Sequence, residues 1–233
     1  MNRTKLLYPA SFLLFAACQG PQEQTAEQQK PNIVYILADD LGYGDLSCNG
    51  QKLFSTPHID RLAETGMNFT QHYSGATVCA PSRSSLMTGQ HTGHTFIRGN
   101  KEWQPEGQYP LEAEAYTLAE ALQDAGYVTG AFGKWGLGYP GSEGDPNNQG
   151  FDAFYGYNCQ RLAHNYYPGH LWDNQEKIVL EENSGDRFEI YAPDLIHDKA
   201  LQFLEDKKDK PFFMFYPNVI PHAELLLPEE YLA

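Results

Sequence analysis

The chain has 233 residues, enough for one large domain or for one domain with an insertion. Hydrophobic residues make up 41% of it and aromatic residues 13%, which is ordinary for a globular protein with a buried core. The formal net charge of -14 argues against a nucleic-acid partner, because nucleic-acid-binding proteins present a basic face to phosphates. An anionic substrate would therefore need a few local cations to hold it.

The N-terminal residues predict export. A basic start precedes an apolar run that is too short to span a bilayer, and residues 15–18 resemble a bacterial lipobox with Cys18 as the acylated residue. We expect residues 1–18 to be a lipoprotein-type signal peptide and residues 19–30, rich in Gln and Glu, to be a flexible tether. The predicted product is a bacterial lipoprotein anchored to a membrane, in the periplasm or at the cell surface. The alternative is a plain secretory signal in which Cys18 is removed or incidental.

The next part of the chain predicts strands alternating with helices. Residues 32–38 form a nearly continuous apolar run, which is typical of a strand buried on both faces. Residues 56–66 carry an N-cap threonine, a proline in the first turn and a final glycine, which predicts a helix. Residues 67–73 alternate loosely and predict a second strand, and a second helix is expected after Cys79.

The same alternation continues toward the C-terminus. A capping box and a final glycine predict a third helix over residues 117–126. Residues 127–134 and 211–216 predict strands, and residues 194–206 predict a helix. Residues 158–187 are rich in Tyr, His and Asn with weak periodicity, so we interpret them as a long surface loop or insertion that contacts the substrate.

This order of elements predicts an α/β fold over residues 31–233. The expected sheet is doubly wound, mixed and mostly parallel, with helices on both faces. Ligands of such sheets bind beyond the carboxyl ends of the strands. Asp39 and Asp40, Lys134 and His222 all follow such ends, so we expect them on one side of the sheet.

The sharpest motif runs from Cys79 to Gly89 and reads Cys-Ala-Pro-Ser-Arg-Ser-Ser-Leu-Met-Thr-Gly. It resembles the motif of type I, formylglycine-dependent sulfatases of the alkaline-phosphatase-like superfamily, Cys-x-Pro-Ser-Arg-x-x-Leu-x-Thr-Gly, in every specified position. The resemblance implies that a formylglycine-generating maturation enzyme oxidises Cys79, and that the hydrated aldehyde attacks the sulfur of a sulfate ester. It also implies that Arg83 holds this hydrate through paired hydrogen bonds. The alternative is an unmodified, buried cysteine at a helix cap.

Asp39 and Asp40 form the second motif. Adjacent carboxylates repel each other unless a cation lies between them, although such a pair at a strand end is more often a helix cap or a turn. The segment resembles the first metal-binding motif of the sulfatases. This resemblance implies that Asp39, Asp40 and the modified Cys79 bind Ca²⁺, with Mg²⁺ as the other candidate ion.

Two further motifs carry catalytic candidates. Residues 133–138 resemble the family's Gly-Lys-Trp-His-Leu-Gly, which implies that Lys134 binds a sulfate oxygen and contacts the formylglycine. Gly136 stands where many relatives have His. The resemblance implies that this His helps the second hydroxyl of the hydrate lose its proton. In this chain, therefore, another base removes that proton or sulfate release is slower. The segment ending at His222 resembles the family's Pro-His segment, which implies that His222 contacts the sulfate and assists the leaving group. On their own, the lysine would be a solvated loop residue and the histidine a structural one.

Substrate selectivity is assigned to the polar and aromatic loop around Arg161 and His164. These side chains can hydrogen-bond sugar hydroxyls, and neighbouring tyrosines can lie against sugar faces. A packed aromatic insertion is the alternative.

The leading hypothesis is a sulfatase that removes sulfate from a sulfated carbohydrate. An aryl sulfatase, a formylglycine-dependent phosphonate or phosphate ester hydrolase, and a non-catalytic glycan-binding lipoprotein are the alternatives. The resemblance covers residues 31–233, which is the first half of a typical sulfatase. Family members supply an Asp-Asn metal pair and a second lysine later, so we expect the domain and its active site to be incomplete at the C-terminus of this chain.

Overall fold

The structure, a computed structural model, describes residues 30–222 and 225–232. In these residues a mixed sheet has the strand order β1-β6-β2-β3-β4-β5. Its strands are β1 (Ile33–Ala38), β2 (Val128–Lys134), β3 (Ala153–Tyr157), β4 (His170–Asp173), β5 (Glu176–Val179) and β6 (Phe212–Asn218). The first four strands in that order are parallel, and β4 and β5 are antiparallel at one edge.

Helices cover both faces of the sheet. Helices α2 (Cys79–Thr88) and α3 (Leu118–Asp124) lie on one face and α4 (Ala192–Lys207) on the other, whereas α1 (Pro57–Thr65) contacts the segment around Cys48. Along β6, Phe212 and Met214 belong to the core that includes residues of α4, whereas Phe213 and Phe215 belong to the core that includes residues of α2 and α3. A strand buried on both faces needs apolar residues at consecutive positions, which explains its unbroken apolar run. The predicted doubly wound fold is therefore confirmed.

The predicted helices with local start and stop residues are confirmed. Thr56 is the N-cap of α1, Pro57 opens the helix and Gly66 closes it. At α3 the Thr117 hydroxyl accepts from the Glu120 amide at 3.2 Å, and the Thr117 amide donates to the Glu120 carboxylate at 2.7 Å. These reciprocal bonds satisfy amides that have no partner within the helix.

Three sequence-based assignments differ from the structure. β1 is not buried on both faces, because Val34 and Ile36 are 46% and 62% exposed among the described residues. Residues 67–73 form turns and irregular backbone instead of a strand, and Met67 and Tyr73 are about three-quarters exposed (75% and 76%). Their loose alternation therefore does not reflect a face packed on a core. Residues 158–187 are not a surface loop throughout, because they contain the β4–β5 hairpin and bury Tyr166 and Leu171. Strands of four residues are too short to show a periodic pattern.

Three cysteines lie within the described residues. Cys48, Cys79 and Cys159 are all free thiols, which agrees with the odd number left after Cys18. The predicted signal peptide, the lipobox with Cys18 and the tether up to residue 29 lie outside the described residues. Within residues 30–222 and 225–232, no helix has both the length and the apolar character needed to cross a membrane.

Candidate active site

The predicted site residues follow the carboxyl ends of three neighbouring parallel strands. Asp39 and Asp40 come after β1, Lys134 is the last residue of β2, and His222 follows the end of β6. The Asp39 amide donates to the carbonyl oxygen of Asn218, the last residue of β6, at 3.2 Å. Because β6 lies between β1 and β2, these ends meet at one edge of the sheet.

Asp39 lies between two cationic side chains. Lys134 Nζ is 2.6 Å from its Oδ2, and Arg83 Nη2 is 3.4 Å from its Oδ1. Arg83 also donates to the backbone carbonyl oxygen of Lys134. The three side chains are at most 8% exposed, so each charge depends on the others for its stabilisation.

The electrostatics of this cluster keep Asp39 ionised. Burial raises the pKa of Asp39, but the charges of Arg83 and Lys134 outweigh burial and bring the pKa below its ordinary value. For the cationic Arg83 burial has the opposite effect and lowers the pKa, and the charge of Asp39 opposes that shift. A guanidinium nevertheless stays protonated in proteins, so the cluster holds one carboxylate between two cations.

Cys79 is the first residue of α2 and touches this cluster. Lys134 Nζ lies 3.5 Å from the Cys79 Sγ atom. The N-cap residue, Val78, has no side chain that could cap the helix, and the Ala80 amide instead donates to Asn100 Oδ1 at 2.8 Å. Sequence analysis missed Asn100, because a capping residue from a distant segment leaves no local pattern.

His222 and His164 form a second group beside the first. Nε2 of His222 is 3.4 Å from Oδ2 of Asp40, and the two imidazole rings stack with centroids 4.2 Å apart and planes 13° apart. The Tyr166 hydroxyl donates to the carbonyl oxygen of His222 at 2.6 Å and lies 3.2 Å from that of Val219. Tyr166 is a second residue that sequence analysis missed in this role, since its pattern predicted only a contact with substrate.

Arg161 occupies a different place from the other predicted residues. One guanidinium nitrogen lies 3.8 Å from the Glu102 carboxylate, and another donates to the carbonyl oxygen of Pro105 at 3.3 Å. Its side chain is 59% exposed. The structure thus brings together Asp39, Asp40, Cys79, Arg83, Lys134, His164 and His222, and places Arg161 against the segment around Pro105.

A cavity of about 460 Å³ opens over the first group. Asp39, Asp40, Cys79 and Arg83 all line it. A second cavity of about 480 Å³, beside Thr88, is lined by none of the predicted site residues. The first cavity is therefore the candidate substrate site.

The two adjacent carboxylates, Asp39 and Asp40, are the groups whose chemistry can be compared with the calcium that the motif implies. Asp39 and Asp40 offer the hard oxygen ligands that Ca²⁺ prefers, but the ion takes roughly six to eight of them. Among residues 30–222 and 225–232, no three His, Cys, Asp or Glu side chains are grouped closely enough to hold an ion. The donor chemistry fits calcium, whereas the number of described ligands does not complete its coordination.

Comparison with known proteins decides the family. The family profile described as Sulfatase matches residues 31–233, which is the whole chain beyond the predicted tether. The chain belongs to the sulfatase family. The resemblance seen in the motif around Cys79 is thus confirmed.

This sulfatase is similar to proteins that act on or bind carbohydrates. An N-acetylglucosamine-6-O-sulfatase of Bacteroides thetaiotaomicron is 33% identical over 222 residues, which cover 95% of this chain and 36% of that protein. The solved structure of Ps i-CgsB with k-i-k-neocarrahexaose superposes with a TM-score of 0.73 at 30% identity, covering 87% of this chain and 48% of that one. The structure of BT4656 with its substrate D-glucosamine-2-N,6-O-disulfate gives 0.71 at 30% identity, covering 88% and 37%.

The sulfatase chain described here spans about a third to a half of these proteins. The matched part has the alkaline-phosphatase-like fold of the sulfatase family.

Proposed function

We propose that the protein is a sulfuric ester hydrolase that removes sulfate from a sulfated glycan. The observation that carries this proposal is the position of Cys79 at the start of α2, with Lys134 Nζ 3.5 Å from its sulfur. The surrounding sequence matches the motif in which formylglycine is made. Formylglycine at this position would supply an aldehyde hydrate as the nucleophile.

The side chains around Cys79 suit the charges of a sulfate ester. Lys134 would hold a sulfate oxygen, since its ammonium group already lies beside the position of the nucleophile. Arg83 would orient the modified residue at position 79 by charge-assisted hydrogen bonds. His222, whose Nε2 faces the carboxylate of Asp40, would donate a proton to the leaving oxygen.

Asp39, Asp40 and the modified residue 79 would hold a Ca²⁺ ion, with Mg²⁺ as the other candidate. The ion would add positive charge where the sulfate is bound and lower the pKa of an attacking hydroxyl.

A sulfated carbohydrate is the proposed substrate because of two observations. The named relative and both solved neighbours carry sugars in their names or titles. His164 stacks on His222, so a residue of the predicted substrate segment adjoins the proposed acid. Arg161, with an exposed side chain on the adjoining segment, would contact a more distant part of the substrate.

The decisive experiment measures turnover of the full-length protein produced together with a formylglycine-generating enzyme. We expect sulfate release from an aryl sulfate and from sulfated oligosaccharides, and slower phosphate release from the matching aryl phosphate. Cys79→Ala should abolish the activity, whereas Cys48→Ala, which removes an exposed free thiol, should leave it unchanged. Chelation of the metal should lower turnover, and added Ca²⁺ should restore it.

Other outcomes would select the other functions. Faster phosphate or phosphonate ester hydrolysis would replace the sulfatase assignment. A peptide mass showing that Cys79 remains a thiol in the native host, together with glycan binding and no turnover, would indicate a non-catalytic glycan-binding protein.

Export as a membrane-anchored lipoprotein is a further part of the proposal and rests on the basic start, the short apolar run and the lipobox-like residues 15–18. Labelled fatty acid should be incorporated into the protein in its bacterial host, and Cys18→Ser should prevent this. Equal labelling of the variant would contradict acylation at Cys18.

A further inference from the structure

The turn that follows Lys134 has an unusual neighbour. Gly136 has a φ of 77°, and a Cβ atom added to it would lie 1.8 Å from Nε2 of Gln160. Gln160 is only 4% exposed, and its Nε2 donates to the carbonyl oxygen of Gly136 at 3.2 Å. The carboxamide of Gln160 thus fills the space that a side chain at position 136 would need.

Both Gln160 and the turn are held by further bonds. The amide of Gln160 donates to Oε1 of Gln108 at 2.9 Å, and the amide of Gln108 donates to the carbonyl oxygen of Gly138 at 2.9 Å. The amide of Gly136 donates to the carbonyl oxygen of Asn158 at 3.1 Å. The backbone directly after Lys134 is therefore clamped between the segments that contain Gln108 and Gln160.

The carboxamide of Gln160 is only partly satisfied. Its Oε1 atom is buried and has no hydrogen-bond partner among the described residues. A buried acceptor without a partner lowers stability, so this oxygen does not explain why a glutamine stands here. The hydrogen bond from the side chain's Nε2 to the turn at Gly136 explains why a glutamine stands at position 160.

We propose that Gln160 is a positioning residue for Lys134, and that glycine at position 136 is the steric consequence. The contact between Gln160 Nε2 and the Gly136 carbonyl fixes the turn that ends β2. Lys134 is two residues earlier, and its ammonium group must reach both Asp39 and Cys79. The catalytic part of this inference rests on the proposed sulfatase function, whereas the steric pairing does not.

The catalytic part is tested in the full-length, matured protein with an aryl sulfate. Gln160→Ala should lower kcat roughly 10- to 100-fold with little change in KM, because small misplacements of catalytic groups cost this much. Gln160→Glu should also lower kcat, because a carboxylate oxygen would then face the Gly136 carbonyl oxygen. The matched control is Gln149→Ala, since Gln149 is another buried glutamine whose Nε2 binds backbone carbonyls and whose Oε1 has no partner in the described residues.

The control separates positioning from a general loss of stability. Gln149→Ala and Gln160→Ala should lower the melting temperature by similar amounts, and only Gln160→Ala should lower kcat strongly. An equal fall in kcat for both variants, or unchanged kcat in Gln160→Ala, would overturn the positioning role.

The steric pairing is tested by unfolding and needs no activity. Gly136→Ala, Gln160→Ala and the double variant form a double-mutant cycle. We expect the double variant to be clearly more stable than the sum of the single effects predicts, because removing the carboxamide makes room for the new Cβ. Additive effects would overturn the pairing. A wild-type protein without sulfate release would refute the proposed function, and this cycle would still decide the pairing.

Discussion

The charged side chain of Lys134 has no exposed surface, so its buried ammonium group is stabilised by the ion pair with Asp39. Removing one partner of a buried ion pair leaves the other charge without compensation, at a cost of about 3–5 kcal/mol. If Lys134 is removed, Arg83 remains 3.4 Å from Asp39 and partly compensates its charge, which reduces the destabilisation. The same contacts that place Lys134 beside Cys79 therefore also stabilise the end of β2.

We predict that Lys134→Met lowers the free energy of unfolding by about 3 kcal/mol. Urea denaturation at neutral pH measures this change. The control is Lys199→Met, because Lys199 is 48% exposed and its ion pair with Asp173 lies at the surface. Exposed pairs contribute about 0–1 kcal/mol, so comparable losses in the two variants would contradict the role assigned to Lys134.

Glu106 is the second residue whose ionisation matters for stability. Its carboxylate oxygens accept from Trp172 Nε1 at 2.8 Å and contact His170 Nε2 at 2.7 Å. Burial raises the pKa of Glu106, but the contacts with His170 and Trp172 outweigh it and bring the pKa below its ordinary value of 4.5. Because the folded-state pKa is the lower one, this carboxylate stabilises the fold above pH 4.5, and the contribution disappears as the pH falls through the folded-state pKa.

We predict that Glu106→Gln makes stability less dependent on pH below about 4.5, while lowering stability at neutral pH. Melting temperatures between neutral pH and pH 3 test this, with Glu182→Gln as the control at an exposed carboxylate. If Glu106→Gln and wild type lose stability in parallel as the pH falls, the carboxylate does not make this contribution.

At the scale of elements, two glycines allow three strands to approach closely. Gly133 in β2 has a φ of 137°, and an added Cβ would lie 2.1 Å from the carbonyl oxygen of Pro217 in β6. Gly156 in β3 has a φ of 150°, and its Cβ would lie 2.0 Å from the carbonyl oxygen of Gly133. Side chains at these positions would press on strand backbone, which has little room to move.

We predict that Gly133→Ala destabilises the protein far more than Gly141→Ala. Gly141 also has a positive φ, 76°, but nothing lies within 4 Å of an added Cβ, so it measures backbone strain alone. That strain is about 1–2 kcal/mol for an ordinary residue. Urea denaturation of both variants gives the difference, and equal losses would show that close strand approach is not what requires glycine at position 133.

The elements also show where sequence reasoning succeeds. Helices α1 and α3 were predictable because their caps lie within a few residues of their ends. The start of α2 was predictable only from its motif, since Asn100 caps it from a distant segment. The β4–β5 hairpin was missed, because its strands are short and it is fixed by pairing with β3.

At the scale of the whole molecule, the site was predictable as far as it follows from the sheet. Parallel strands bring their carboxyl ends together, so Asp39, Lys134 and the residues after β6 had to share an edge. The stacking of His164 on His222 and the placement of Arg161 beside Pro105 depend on how irregular segments pack. No sequence period encodes such contacts, so they became visible only in three dimensions.

The strand order has a consequence for synthesis. β6 is the last strand to be made, yet it lies between β1 and β2, which would otherwise be about 10 Å apart with no shared partner. Asp39, Cys79 and Lys134 are therefore synthesised well before β6, the strand that lies between β1 and β2. Until Phe212–Asn218 emerges, β1 and β2 have no strand between them, so the pairing that brings Asp39 to Lys134 and Cys79 cannot form.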